Sequence, residues 1–214
     1  MAISLPKVYP ILDASFIPAT GRVEFLRRLG GSLAAAGVTL LEYRNKNGAE
    51  AEMLADAEIL RAALPSGQVK LILDDRADLV EQIGFDGAHV DAGDLPPTEA
   101  RRLLGLDRIV GTFGGGASGF LPGILATPAD YFSIGPVFAT RTKQTSSPLI
   151  GMDGIRRLRA EAGAGPALVA IGGITLATAA EALSAGATVV AIAGALFRQA
   201  DPAAEFRRWL AELG

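Results

Sequence analysis

Asp130-Tyr131-Phe132-Ser133-Ile134-Gly135-Pro136-Val137-Phe138-Ala139-Thr140-Arg141-Thr142-Lys143 joins an apolar run to a polar, cationic one. Tyr131, Phe132 and Ile134 suit a strand buried in a sheet. Gly135-Pro136 marks its end. Two hydroxyls and two cations follow, at Thr140, Arg141, Thr142 and Lys143. A buried strand that feeds such a loop is where an α/β fold places its chemistry. The loop suits an anionic substrate such as a phosphate ester. A surface turn with a solvated charge pair is the competing reading, and the rest of the chain decides between them.

The same alternation continues on both sides. Upstream, 8–12, 38–43, 69–73, 87–90 and 109–112 read as short buried strands; downstream, 167–171 and 188–192 do. Helices are expected over 22–36, 50–64 and 77–83, and after Pro96-Pro97, with Ala100, Leu103 and Leu104 facing inward. Met152, Ile155 and Leu158 mark another helix. Thr175 can cap the next, which buries Leu176, Ala179, Ala180 and Leu183. Asp201-Pro202 opens the last, with Phe206, Trp209, Leu210 and Leu213 on its apolar face. After the fifth strand comes Phe113-Gly114-Gly115-Gly116, and the helical signal there is short or weak. Eight strand–helix units of roughly 25 residues each imply parallel strands with helices outside. The expected fold is a (β/α)8 TIM barrel, one domain over 1–214. An open doubly wound sheet is the alternative, weakened by the lack of an early Gly-x-Gly-x-x-Gly turn.

Composition narrows the chemistry. The chain has 214 residues, half of them apolar, and a net charge of -3, so non-specific attraction to nucleic acid or anionic membrane is not expected. With no cysteine and one histidine, thiol nucleophiles, disulfides, cysteine metal sites and multi-histidine metal sites are excluded. No apolar run is long enough to span a bilayer, so the default is a soluble cytoplasmic protein. Homo-oligomerisation is left open.

In a barrel the strand ends converge on one face. Glu42, Arg44 and Lys46 share one parity of their strand while Tyr43 points away. The third strand delivers Asp74, Asp75 and Arg76, the fourth Asp91 and Asp94, the sixth Thr140, Thr142 and Lys143. One reading is a structural ion-pair network at the barrel mouth. The functional one is a set of cations holding phosphate oxygens beside two carboxylates that bind Mg²⁺, an ion that takes carboxylate, phosphate and water oxygens. Gly172-Gly173 and Gly194, after the last two strands, fall where such barrels bind phosphate. His89, inside a strand, reads as a buried histidine satisfied by a neighbour. Trp209, Met53 and Met152 read as core.

Four segments in order, Leu71-Ile72-Leu73-Asp74-Asp75-Arg76-Ala77-Asp78-Leu79, Gly87-Ala88-His89-Val90 leading to Asp94, Gly135 through Lys143, and Val169-Ala170-Ile171-Gly172-Gly173-Ile174, resemble the thiamine phosphate synthase family and its thiazole tautomerase-like relatives. The resemblance covers nearly the whole chain. It implies an Mg²⁺-dependent alkyl transferase of thiamine biosynthesis. Such an enzyme joins hydroxymethylpyrimidine diphosphate to hydroxyethylthiazole phosphate and releases diphosphate. By resemblance Arg44, Lys46 and Lys143 hold the diphosphate, Asp75 and Asp94 hold Mg²⁺, and Thr140, Thr142, Gly173 and Gly194 bind the thiazole phosphate. Glu42, Asp74 and Thr112 fall among the remaining substrate-binding positions. This chain departs from the pattern there: Glu42 stands for a glutamine, Asp74 for an asparagine, and Ala92 for a glutamine before the second metal carboxylate. Phe113 and Gly115 stand where the family tends to show serine and histidine. A tautomerase-like isomerase and a non-catalytic phosphate-binding barrel are the alternatives.

Overall fold

The computed structural model describes residues 4–46, 48–91, 93–140, 142 and 146–214. In chain order its elements are β1 (Val8–Asp13), α1 (Arg22–Ala35), β2 (Leu40–Arg44), α2 (Glu50–Ala63), β3 (Lys70–Asp74), α3 (Val80–Ile83) and β4 (Gly87–Val90). Then come α4 (Pro97–Leu104), β5 (Ile109–Gly116), β6 (Gly119–Phe120), β7 (Tyr131–Ile134), α5 (Gly151–Ala162) and β8 (Leu168–Ile171). Last are α6 (Leu176–Ser184), β9 (Val189–Ile192), α7 (Gly194–Phe197) and α8 (Pro202–Leu213).

All strands except β6 pair in parallel, in the order β4-β3-β2-β1-β9-β8-β7-β5, and β4 pairs with β5 to close the ring. That closure excludes the open doubly wound sheet. The result is a TIM-barrel-like sheet surrounded by helices. Because both faces of each strand are buried, the strands read as continuous apolar runs rather than alternating ones. Tyr9, Ile11, Leu40, Ile72, Ile109, Tyr131, Val169, Val189 and Ala191 fill the barrel. Their neighbours of opposite parity, among them Leu12, Leu41, Tyr43, Leu71, Leu73 and Val190, pack under the helices.

The fifth unit differs from the expected repeat. β5 runs on through Gly114-Gly115-Gly116 and folds back on β6 as an antiparallel hairpin. A 3-10 turn at Ile124–Ala126 stands where an outer helix was expected. A Cβ on Gly115 would lie 2.5 Å from the Gly119 carbonyl, so the hairpin needs glycine there. Two expected helix faces also shift. α4 docks through Ala100 and Leu104, one helical turn apart, which leaves Leu103 50% exposed. α6 buries Ala179 and Ala182, and Ala180 faces solvent.

A recurring latch holds the face of the barrel where the strands begin. Arg61 of α2 donates to the Leu64 and Val69 carbonyls and to Asp86, whose carboxylate accepts from the Leu71 amide. Arg101 of α4 donates to the Gly105 and Arg108 carbonyls and to Asp130, which accepts from the Val110 amide. Arg159 of α5 donates to the Gly163 and Pro166 carbonyls and to Thr188, which accepts from the Leu168 amide. Each arginine satisfies carbonyls left bare after its own helix, and each acceptor ties down the start of a strand.

Candidate active site

A cavity of about 580 Å³ opens at the carboxyl ends of the strands. Its floor is polar although it lies deep in the barrel. Glu42 and His89 are only 3% and 6% exposed. The Tyr9 hydroxyl donates to Glu42 Oε2 at 3.2 Å. His89 Nδ1 lies 3.2 Å from the Tyr131 hydroxyl, and its Nε2 lies 3.6 Å from Asp91 Oδ1. Burial pushes the Glu42 carboxyl up to about 7, helped by the Asp74 and Asp91 charges and opposed by His89 and the Tyr9 bond. For His89 burial works against the proton, but the Asp91 bond and the charges of Glu42 and Asp74 outweigh it and lift the imidazole to about 9. The floor is therefore an imidazolium among carboxyls.

Beside it, Arg44 bridges two strand ends. Its Nη1 pairs with Asp13 and its Nε lies 3.1 Å from Asp74 Oδ2. Lys46 pairs with Asp75 and lies 3.6 Å from Asp74 and 3.9 Å from Asp91. Asp74 Oδ2 and Asp75 Oδ1 are buried without an aligned hydrogen bond. Asp75 is crowded: burial, the Asp74 charge and contact with the Asp94 carboxyl raise it to about 6. Its backbone sits at φ 67°, the left-handed region that non-glycine residues rarely adopt. Strain and like-charge contact at one residue mark a site held for something other than stability.

The opposite wall is the phosphate-like corner. Gly172, Gly173, Thr175, Gly194, Thr140 and Thr142 line it. Gly173 has φ 64°, and a Cβ there would lie 2.4 Å from the Ala139 carbonyl. The turn after β8 thus packs directly on the loop after β7, which brings both threonines to the corner. The Thr142 amide donates to Thr140 Oγ1 at 3.2 Å.

Comparison with known proteins bears on what this arrangement does. A family model described as thiamine monophosphate synthase matches residues 8–196. The chain belongs to that family. It is 40% identical over 190 residues to the thiamine-phosphate synthase of Koribacter versatilis, covering 89% of this chain and 88% of the relative. Over 202 residues it is 34% identical to that of Chloroflexus aurantiacus, covering 94% and 90%. Thiamine phosphate pyrophosphorylase from Pyrococcus furiosus superposes with a TM-score of 0.75 at 25% identity, covering 97% of this chain and 95% of that one. A 3-hexulose-6-phosphate synthase, at 19% identity and a TM-score of 0.67 over 98% of this chain and all of that one, shares the fold.

Of the positions expected from the sequence, Glu42, Arg44, Asp74, Thr140, Thr142, Gly173 and Gly194 line the cavity. Lys46, Asp75 and Asp94 cluster at its edge. Thr112 does not line it: the hydroxyl donates to the Val90 carbonyl at 2.8 Å, and its neighbour Phe113 faces the cavity instead. Lys143 and Ala92 lie outside the described residues. Sequence reasoning left out Asp13, Ser133 and Arg198, which line the cavity; His89 is the buried histidine with neighbouring partners that was expected, and it lines the cavity as well. Asp13 ends β1 just as Arg44 ends β2, so the strand-end rule that found Arg44 could have found it.

Proposed function

We propose that this member of the thiamine monophosphate synthase family joins hydroxymethylpyrimidine diphosphate to hydroxyethylthiazole phosphate, forming thiamine phosphate and diphosphate. The proposal takes residues 1–214 as one (β/α)8 barrel whose site lies at the strand ends. The carrying observation is the Asp75–Asp94 contact beside Lys46 and Arg44 at the rim of the cavity.

The acids fit Mg²⁺. Two carboxyls pressed together, one with a buried oxygen lacking a partner, form the oxygen-rich pair a hard divalent cation takes. A Mg²⁺ ion held by Asp75 and Asp94 would neutralise charge on the diphosphate as it leaves. Asp75 and Asp94 would hold the ion, with phosphate and water oxygens as the other ligands Mg²⁺ takes. Lys46 and Arg44 supply positive charge from the protein side. Glu42, in place of the family's glutamine, sets a carboxylate where the pyrimidine's exocyclic amine is expected. When ionised it accepts from that amine and stabilises positive charge spread over the ring after the carbon–oxygen bond to diphosphate breaks. The thiazole nitrogen then forms the new carbon–nitrogen bond, and no protein nucleophile is needed. Phe113 and the apolar walls Ile11, Ile171 and Ile174 keep water from that carbon.

The isomerase alternative needs a histidine in the region of the fifth strand, and Gly111-Thr112-Phe113-Gly114-Gly115 supplies none. The test is incubation with both substrates and Mg²⁺, read by mass spectrometry. A thiamine phosphate signal that needs metal and disappears in Asp94→Ala is expected. Absence of product from folded protein over a range of substrate and metal concentrations would refute the proposal.

A further inference from the structure

Arg198 belongs to none of the motifs above. It follows α7, four residues beyond Gly194, and lines the cavity at the phosphate-like corner. Its guanidinium carbon sits 5.2 Å above the Phe16 ring, and Phe16 in turn packs on Phe197 with ring centroids 5.8 Å apart. This cation–π contact joins the turn after β1 to the segment after β9 and holds an exposed side chain in place. A Cβ built on Gly194 would lie 3.0 Å from Arg198 Nε and 3.0 Å from Thr142 Oγ1. A guanidinium and a hydroxyl therefore converge on one glycine, from different segments.

Among the described residues, Arg44 and Arg198 are the arginines that line the cavity. Arg44 already pairs with Asp13 and lies 3.1 Å from Asp74. Arg198 has no carboxylate partner among the described residues. A planar guanidinium resting on an aromatic face keeps its edge N–H groups available for a bidentate anion.

We propose that Arg198, steadied by Phe16, binds the phosphate monoester of the second substrate together with Thr142 and the backbone at Gly194. The inference rests on the synthase reading for the name of that substrate, but its chemistry needs only a phosphate monoester. Phe16 acts as a positioning residue through Arg198.

The experiment is calorimetric titration of the whole chain with hydroxyethylthiazole phosphate, its dephosphorylated alcohol, and phenyl phosphate as an unrelated monoester. Arg198→Ala should weaken both monoesters by ten- to a hundredfold, the range for losing a charge-assisted hydrogen bond. The alcohol should bind parent and variant alike. Arg198→Lys should restore part of the loss, and Phe16→Leu should weaken monoesters less than Arg198→Ala. In turnover, the KM for thiazole phosphate should rise while the KM for the pyrimidine diphosphate stays within twofold. Equal monoester affinity in parent and Arg198→Ala overturns the inference, and so does a parent that binds no monoester. An absence of thiamine phosphate product, with Arg198-dependent monoester binding intact, would instead refute the synthase reading and leave the phosphate site standing.

Discussion

Glu42 carries a carboxyl in a place that discourages charge, and its stability signature follows. Unfolded, it titrates near its ordinary value of 4.5; folded, near 7. The native state holds the extra proton across that window, so this group makes stability fall as pH rises through it. His89 acts in the same direction, contributing stability below about 6.5 that is lost as pH climbs through about 9. Glu42→Gln removes the first effect and weakens the second. Its melting temperature should therefore gain on the parent between pH 5 and pH 8; a constant gap would contradict the burial argument. In the synthase assay the parent's kcat/KM should rise through pH 7 as Glu42 ionises, and the variant's should be flatter. Asp75→Asn makes the complementary case. Asparagine tolerates the left-handed backbone and relieves the crowding with Asp74 and Asp94. The variant should melt no lower than the parent at pH 8 while kcat falls at least ~100-fold, the scale of losing one preorganised charge-stabilising group. A variant that loses stability in step with activity would make Asp75 structural. Glu42 and Arg44 were legible because strand parity is local. The charge of His89 was not: it depends on Asp91, on Glu42 from β2 and on Asp74 from β3, which the register of neighbouring strands sets beside it, while Tyr131 from β7 reaches its ring through the β4–β5 closure.

Elements were easier to read than their contacts. Short apolar runs alternating with amphipathic ones located all eight barrel strands, because burial on both faces leaves an unbroken apolar signature. The β5–β6 hairpin escaped since a run of glycines reads as a turn, and its partner strand is two residues long. Asp56 escaped for another reason. It sits on the buried stripe of α2 with Met53, Ala57 and Leu60, where a carboxylate is out of place. The structure supplies its partners: Arg22 Nε at 2.7 Å from α1 and the Tyr43 hydroxyl at 2.5 Å from β2. One acid thus pins two helices to a strand. Asp56→Ala should cost about 2–3 kcal/mol, by removing the acceptor of both Arg22 and the Tyr43 hydroxyl and leaving Arg22 with Glu52 alone. Tyr43→Phe should cost only about 1 kcal/mol. Urea unfolding of both variants checks the ranking; equal costs would mean that the ion pair contributes little beyond the hydroxyl bond.

At the scale of the whole molecule, the ring has no free edge among the eight parallel strands, so loss of one strand should open the rest. Trp209, fully buried on α8, and the far-ultraviolet signal of all helices should report one coincident urea transition. Separate midpoints would show that α8 unfolds alone. The latches at the far face belong to this scale too. They recur after β2, β4 and β7, that is, at every second strand of the ring. The fourth place falls between α8 and β1, where the Lys7 ammonium donates to the Leu213 carbonyl at 2.7 Å. In two latches the acceptor is an aspartate; in the third it is Thr188, and burial without an acid partner lowers the Arg159 pKa. Thr188→Asp should complete the set and raise the urea midpoint by the equivalent of about 0.5–1 kcal/mol. A lower midpoint would show that the third latch is not interchangeable with the others. The consequence is one of load sharing. The fastened strand starts are those of β3, β5 and β8, with Lys7 just before β1, so each remaining strand of the ring lies between two whose starts are tied to a helix end.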